Sequence, residues 1–152
     1  MVNNNTTYLF LAEKFFSKIK DYDLASMEES TAREIAIGYI APACLMFESC
    51  DQDLGDRDDI IGEFNFRLSP TNVEILINFM TIEFIDSNYL RTSMALKSRL
   101  SSNDFKSLNL PQQLSKVMEL RSMLKSENDQ LAINKSYKNS PLFDLVLNRK
   151  KV

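Results

Sequence analysis

A chain of 152 residues with 44% apolar and 26% charged side chains is long enough to bury one sizeable core and has the composition of a globular domain. Its net charge of −3 provides no basic excess, which argues against general nucleic-acid binding. The absence of histidine removes the side chain that most often transfers protons near neutral pH and that most often binds zinc.

Turn-forming residues and cysteines are both scarce. Three glycines and four prolines favour long helices over the frequent turns of an all-β fold. Cys44 and Cys50 are too few for a zinc site, and we interpret them as small apolar groups in a reducing compartment, with a disulfide between them left open. The sequence shows neither a signal-peptide core nor an apolar run of membrane-spanning length, so we expect synthesis in the cytosol and no membrane partner.

The first predicted helix covers residues 8–20, where apolar side chains recur at steps of three and four. Thr6 or Thr7 stands directly before this helix and is expected to cap its exposed amides with a hydroxyl oxygen. The apolar stripe is wider than a surface helix needs, so we expect this helix to pack against others.

A second helix is predicted to begin at Ser30 or Thr31, with Glu34 placed to complete a capping box. Pro42 falls inside the same helical pattern. Because proline lacks an amide hydrogen and clashes with the preceding turn, we expect it to kink this helix or to end its first half.

The acidic segment of residues 51–63 invites comparison with a calcium-binding loop. With Asp51 as the first ligand, Gly55 occupies a ligand position and Gly62 stands where a bidentate glutamate is needed. The segment therefore fails the calcium-loop pattern at decisive positions. We predict a solvated loop that repels other negative charge, and no metal site.

A central helix follows, and it begins with a strong start signal. Ser69 is placed as the N-cap and Pro70 as the first helical residue. Residues 73–85 are apolar nearly all round, which predicts burial on more than one side, at the centre of the fold or between subunits. Glu74 and Glu83 lie about 13 Å apart along the helix axis, too far to share a proton as a catalytic pair.

Three predictions concern the chain between this helix and the last one. Residues 86–88 are predicted to break the helix, and residues 101–106 to form a loop. Asn109 is placed to cap the last helix, with Pro111 just inside it. This last helix is predicted to run to about Tyr137.

The last helix carries an apolar heptad seam that two polar residues, Arg121 and Asn128, interrupt. These two either face solvent because the seam drifts around the helix, or fix the register between adjacent helices. We predict that the seam lies between subunits. Its members are Leu114, Val117, Arg121, Leu124, Asn128 and Leu131.

An apolar and basic tail follows the stop signal Asn139-Ser140-Pro141. Five apolar residues within six are costly to leave in water. We therefore expect the tail either to pack on its own bundle or to dock on a neighbouring subunit or another protein, for example as an added strand. The residues predicted to bind a partner are Leu142, Phe143, Leu145, Val146, Leu147, Arg149 and Lys150.

Together these elements predict an all-α protein, a bundle of four to five helices with a long C-terminal helix and an extended C-terminal tail. We assign residues 1–138 to the helical-bundle domain and residues 139–152 to the tail. The sequence contains no nucleophile-elbow motif, no phosphate-binding glycine loop and no paired carboxylates. We therefore predict no catalytic, cofactor-binding or metal-ligating residue.

Residues 66–137 also carry a series of short motifs. They are Phe66-Arg67-Leu68-Ser69-Pro70 leading to Glu74-Ile75-Leu76 and Met80, then Leu100-Ser101-Ser102-Asn103-Asp104-Phe105-Lys106, then Leu114 with Leu120-Arg121, and Ser136-Tyr137. In this series the chain resembles the small neck proteins of tailed bacteriophages, the head–tail connector or adaptor proteins that sit below the portal. Two features depart from the family pattern: Phe84 stands in place of a tryptophan, and the apolar tail after Pro141 is additional.

The resemblance implies a virion structural protein without enzymatic activity, located in the neck of the virion and, during assembly, in the host cytoplasm. It implies a homo-oligomer, a dodecameric ring that joins the portal protein to tail and neck proteins and lets DNA pass without sequence-specific binding. Two other classes stay open. One is a small helical regulatory protein that binds a partner through its C-terminal tail, and the other is an enzyme or nucleotide-binding domain without recognised motifs.

Overall fold

The computed structural model describes residues 4–19, 26–91 and 110–141. A π-helical turn (Asp86–Leu90) directly continues the helix that ends at Ile85. Two short antiparallel strands pair Arg57 with Phe64 and Asp58 with Glu63. The elements are α1 (Tyr8–Lys18), α2 (Glu29–Gly38), α3 (Ile40–Met46), β1 (Arg57–Asp58), β2 (Glu63–Phe64), α4 (Pro70–Ile85) and α5 (Leu110–Lys138). The prediction of an all-α fold with a long C-terminal helix is confirmed.

The two threonines before α1 have different roles. Thr7 is the N-cap, and its hydroxyl oxygen accepts a hydrogen bond from the Phe10 amide at 3.2 Å. Thr6 is buried, and its hydroxyl accepts from the Leu68 amide at 2.9 Å. This side-chain bond ties the start of α1 to the segment that leads into α4.

The second predicted helix is divided near Pro42, as expected, but its start differs from the prediction. It begins at Glu29, and neither Ser30 nor Thr31 is its N-cap. The division lies at Tyr39, between α2 and α3, so Pro42 falls in the first turn of α3. An amide there has no partner within its own helix, so proline is tolerated.

Helix α4 forms the centre of the molecule, where it contacts α1, α3 and α5. The start signal works as predicted: Ser69 accepts a hydrogen bond from the Asn72 amide at 3.3 Å, and Pro70 follows it. Burial on more than one side is confirmed, because contiguous residues that point in different directions are all covered. Ile75, Leu76, Ile77 and Met80 are each at most 1% exposed.

The break predicted at residues 86–88 is wrong. The helix continues through the π-helical turn, in which backbone hydrogen bonds join residues five apart. The Asn88 side chain donates to the Phe84 carbonyl at 3.0 Å and to the Tyr39 hydroxyl at 3.0 Å. Asn88, one of the polar residues that indicated a stop, thus forms side-chain hydrogen bonds within the continued helix and to Tyr39.

Helix α5 has 29 residues, about 43 Å of helix, and ends at Lys138, before the predicted stop at Asn139-Ser140-Pro141. None of the helices within the described ranges has both the length and the apolar character to cross a bilayer. Three predictions lie outside the described residues: the loop at 101–106, the cap at Asn109, and the tail residues Leu142, Phe143, Leu145, Val146, Leu147, Arg149 and Lys150.

Candidate interaction surfaces

The heptad seam of α5 lies against α4 of the same chain. Val117, Leu124 and Leu131 are partly buried against the hydrophobic core, and Leu114 is half-buried. Val117, Leu124 and Leu131 of the seam thus pack against the core of their own chain. The inter-subunit contact predicted for them remains a prediction, and it would have to form in addition to this packing.

Asn128 fixes the register of α5 on α4. It is 1% exposed, and its side-chain oxygen accepts from the Asn78 amide at 2.8 Å while its own amide donates to the Ile75 carbonyl at 3.1 Å. Lys18 of α1 donates to the oxygen of Asn78, so three helices meet at this amide pair. Of the two interpretations of Asn128, solvent exposure is wrong, and the burial and contacts of the side chain favour register control.

Arg121 makes the second polar contact of the seam. Its Nε and Nη2 atoms donate to the two oxygens of Asp86 at 2.6 and 3.0 Å, a bidentate ion pair. The hydrogen bond to Asp86 raises the pKa of Arg121. Because Asp86 opens the π-helical turn, this pair attaches the turn to α5 and also serves to fix register.

A third polar contact was missed in the sequence. Lys135 lies one heptad beyond Asn128, and its ammonium group donates to Asp51, to Asn72 and to the Ser69 hydroxyl, the last at 3.2 Å. The side-chain amide of Asn72 also donates to Asp51 at 2.9 Å. Continuing the heptad count by seven residues would have indicated that Lys135 faces α4.

Lys135 makes folding stability sensitive to acid. Its hydrogen bond, and then that of Asn72, hold the pKa of Asp51 below the ordinary value of 3.8. A carboxylate whose pKa is lower in the folded state contributes to folding stability at pH values above its unfolded-state pKa. This contribution is lost as the pH falls through the folded-state pKa. We expect Lys135→Met to be less stable than the wild type at pH 7, and the difference to shrink as the pH falls below 3.8.

Urea unfolding across a pH series measures this difference in unfolding free energy. Lys125→Met, on the exposed side of α5, is the matched control and should show a small, pH-independent effect. A Lys135→Met deficit that persists undiminished in acid would show that the lysine acts through packing and not through the Asp51 carboxylate.

Three titratable side chains near β1 contact one another through the carboxylate of Asp59. The Tyr8 hydroxyl donates to Asp59, and Arg57 pairs with the same carboxylate at 3.1 Å. Burial, followed by the bond to Asp59, raises the pKa of Tyr8.

Cys44 and Cys50 are both free thiols, and burial raises the pKa of each, so the reactive thiolate form is disfavoured.

The hairpin between β1 and β2 exposes two adjacent isoleucines, which we call the isoleucine tip: Ile60 is 98% exposed and Ile61 71%. The turn is well defined. The Asp58 carboxylate accepts from the amides of Ile60 and Ile61 at 2.9 and 3.0 Å, and Gly62 adopts a positive φ of 79°. The Gly62 carbonyl accepts from the Tyr8 amide at 2.8 Å, which fixes the hairpin to α1.

Glu74 and Glu83, which were considered above as a catalytic pair, each form an ion pair with a basic side chain. Glu74 pairs with Lys18, and Glu83 pairs with Arg91 at 3.5 Å, so both belong to surface ion pairs of α4. Within residues 4–19, 26–91 and 110–141, no group of three or more histidine, cysteine or acidic side chains is placed to hold a metal ion. In the same ranges, every buried side-chain nitrogen or oxygen has a hydrogen-bond partner.

Comparison of the chain with protein-family models, with curated proteins and with solved structures returns no match.

Proposed function

We propose that this chain is a structural subunit of a phage neck, a head–tail connector without enzymatic activity. The isoleucine tip is the observation that carries the proposal. A large apolar side chain that is 98% exposed contributes nothing to its own fold, and one held in a defined turn is suited to contact another polypeptide. The motifs of residues 66–137 favour a connector over other assembly proteins.

The polar groups of the chain support an assembly role over catalysis. The amide pair Asn78–Asn128, the ion pair Arg121–Asp86 and the Lys135 cluster each join two or more helices. These contacts hold the helices in place. A rigid subunit loses little conformational entropy when it is ordered in a larger assembly, which favours association.

In this proposal the subunits form a ring, dodecameric by resemblance, between the portal protein and the tail or neck proteins. Ring contacts repeat by rotation about an axis and use two different patches on each copy. The net charge of −3 and the acidic segment 51–63 suit a channel from which DNA phosphates are repelled. DNA then passes without sequence-specific binding, and the mature location is the neck of the virion.

Quantitative mass spectrometry of purified virions tests the proposal. The expected result is one ring equivalent of this chain per portal ring, retained after salt washing. Absence from mature particles, or an amount unrelated to the portal, would overturn the connector role and leave the regulatory alternative.

The tail offers a point test. Phe143→Asp places a charge among the apolar tail residues, and we expect unchanged helical circular dichroism but failed particle assembly, because the tail then cannot be buried against a partner. Asn148→Asp adds the same charge at a polar position of the tail and should assemble normally. If Phe143→Asp unfolds the isolated protein, the tail belongs to its own core.

A further inference from the structure

A groove between α1 and α4 combines an apolar floor with a basic rim. We call it the α1–α4 groove; its volume is about 420 Å³, and its apolar part includes Phe10, Val73 and Ile77. Phe10 is 42% exposed, so an apolar ligand can reach its ring. Lys14 lies over that ring, with its ammonium nitrogen 5.7 Å from the ring centroid.

The charge of this groove is the opposite of that around the isoleucine tip. Three cations line the groove, Lys14, Lys18 and Arg67, against a single carboxylate, Glu74. In residues 53–63 the tip is flanked by five carboxylates and one guanidinium group. An acidic, apolar projection and a basic, apolar depression therefore occur on the same molecule.

The tip does not fill the groove of its own chain, since Ile60 is almost fully in water. The two features also use different sides of α1. Gly62 of the hairpin packs on Tyr8, which belongs to the core-facing stripe, whereas Phe10, Lys14 and Ser17 form the stripe along the groove.

We infer that the isoleucine tip of one copy docks in the α1–α4 groove of a second copy. The contact joins two different patches, so it is heterologous, and it closes into a ring if the rotation between neighbours permits. This inference rests on the proposed function and names the subunit contact that such a ring would use. Charge complementarity between tip and groove would set the orientation of docking.

Paramagnetic line broadening at millimolar concentration tests the contact and detects weak association. One copy carries a spin label beside the tip, through Asp56→Cys in a Cys50→Ser background, and the second copy is isotope-labelled for NMR. We expect broadening of the amides around Phe10 and Lys14 of the second copy. Broadening elsewhere, or none, would overturn the inference.

Matched variants identify the two sides of the contact. Phe10→Asp in the observed copy, or Ile60→Ser with Ile61→Ser in the spin-labelled copy, should weaken the association roughly tenfold or more, because apolar burial is lost. Leu9→Asp, next to Phe10 but outside the groove, and Leu45→Ser, at another exposed apolar site, should leave it unchanged. Equal effects of variants and controls would overturn the assignment.

A mixed pair separates a tip-to-groove contact from a tip-to-tip contact. The spin-labelled copy keeps its tip and carries Phe10→Asp, while the observed copy keeps its groove and carries both serine substitutions. Broadening of the groove should persist in this pair, and its loss would mean that tips meet each other. A protein present in virions as a ring but showing no tip-to-groove contact refutes this inference and not the proposed function.

Discussion

Replacing Phe15 with alanine is expected to remove about 3–5 kcal/mol from the free energy of unfolding, because a large buried ring is lost and a cavity remains. Phe15 is 0% exposed, and its ring lies 5.7, 5.8 and 5.9 Å from the ring centroids of Phe16, Tyr39 and Phe84. These neighbours come from α1, the α2–α3 junction and α4. Urea unfolding followed by circular dichroism measures the loss.

Phe10→Ala is the matched control, since it deletes the same side chain from the same helix at a site that is 42% exposed. It should cost much less than Phe15→Ala. Comparable losses for the two variants would mean that the core does not centre on Phe15 and that the packing of α1 is different from that described.

Replacing Asn128 with leucine, which has the same branching at Cγ, is expected to cost about 1–3 kcal/mol, because the Asn78 side-chain amide loses its acceptor in a buried place. Asn78 is 2% exposed, so water cannot readily replace the missing oxygen. Asn134→Leu, at an exposed position of α5, is the control and should change stability little. The free energy of unfolding in urea again provides the measurement.

A double-mutant cycle isolates the contact between the two amides. Asn78→Leu combined with Asn128→Leu should cost less than the sum of the single substitutions, because the double variant leaves neither member of the amide pair without the other. Strict additivity would show that the two side chains do not interact and that Asn128 does not fix the register of α5.

Local signals in the sequence predicted much of the fold. Thr7 and the Ser69-Pro70 pair mark helix starts through hydrogen bonds made within a single turn, so their pattern is visible in the chain. The π-helical turn was missed for the opposite reason. Asn88 satisfies the helix partly through the Tyr39 hydroxyl, 49 residues away, and no local pattern contains that contact.

The seam of α5 shows how far a heptad pattern can be taken. The pattern correctly indicates that one face of α5 is covered, and it places Arg121 and Asn128 on that face. It does not say which helix covers it, because α4 and a second subunit would require the same apolar spacing. Tertiary contacts, such as those of Asn128 with Asn78 and of Lys135 with Asn72, identify α4 of the same chain.

The isoleucine tip was the feature of the candidate site least accessible from sequence. Strands of two residues are too short to show alternation, so the hairpin has no periodic signal. Ile60 and Ile61 lie within an acidic segment interpreted as a solvated loop. Isoleucine is usually buried, so the residue type alone does not predict that these two side chains are exposed.

The buried amide pair Asn78–Asn128 also determines the position of α5 along its own axis. Sliding α5 by one turn, about 5.4 Å, would bring Leu124 or Ala132 opposite Asn78 and strand its amide without an acceptor. The long helix is therefore seated at a single height on the rest of the protein. In the proposed ring, every copy would then present the two ends of α5 at the same level, which a collar needs if it is to meet flat layers above and below.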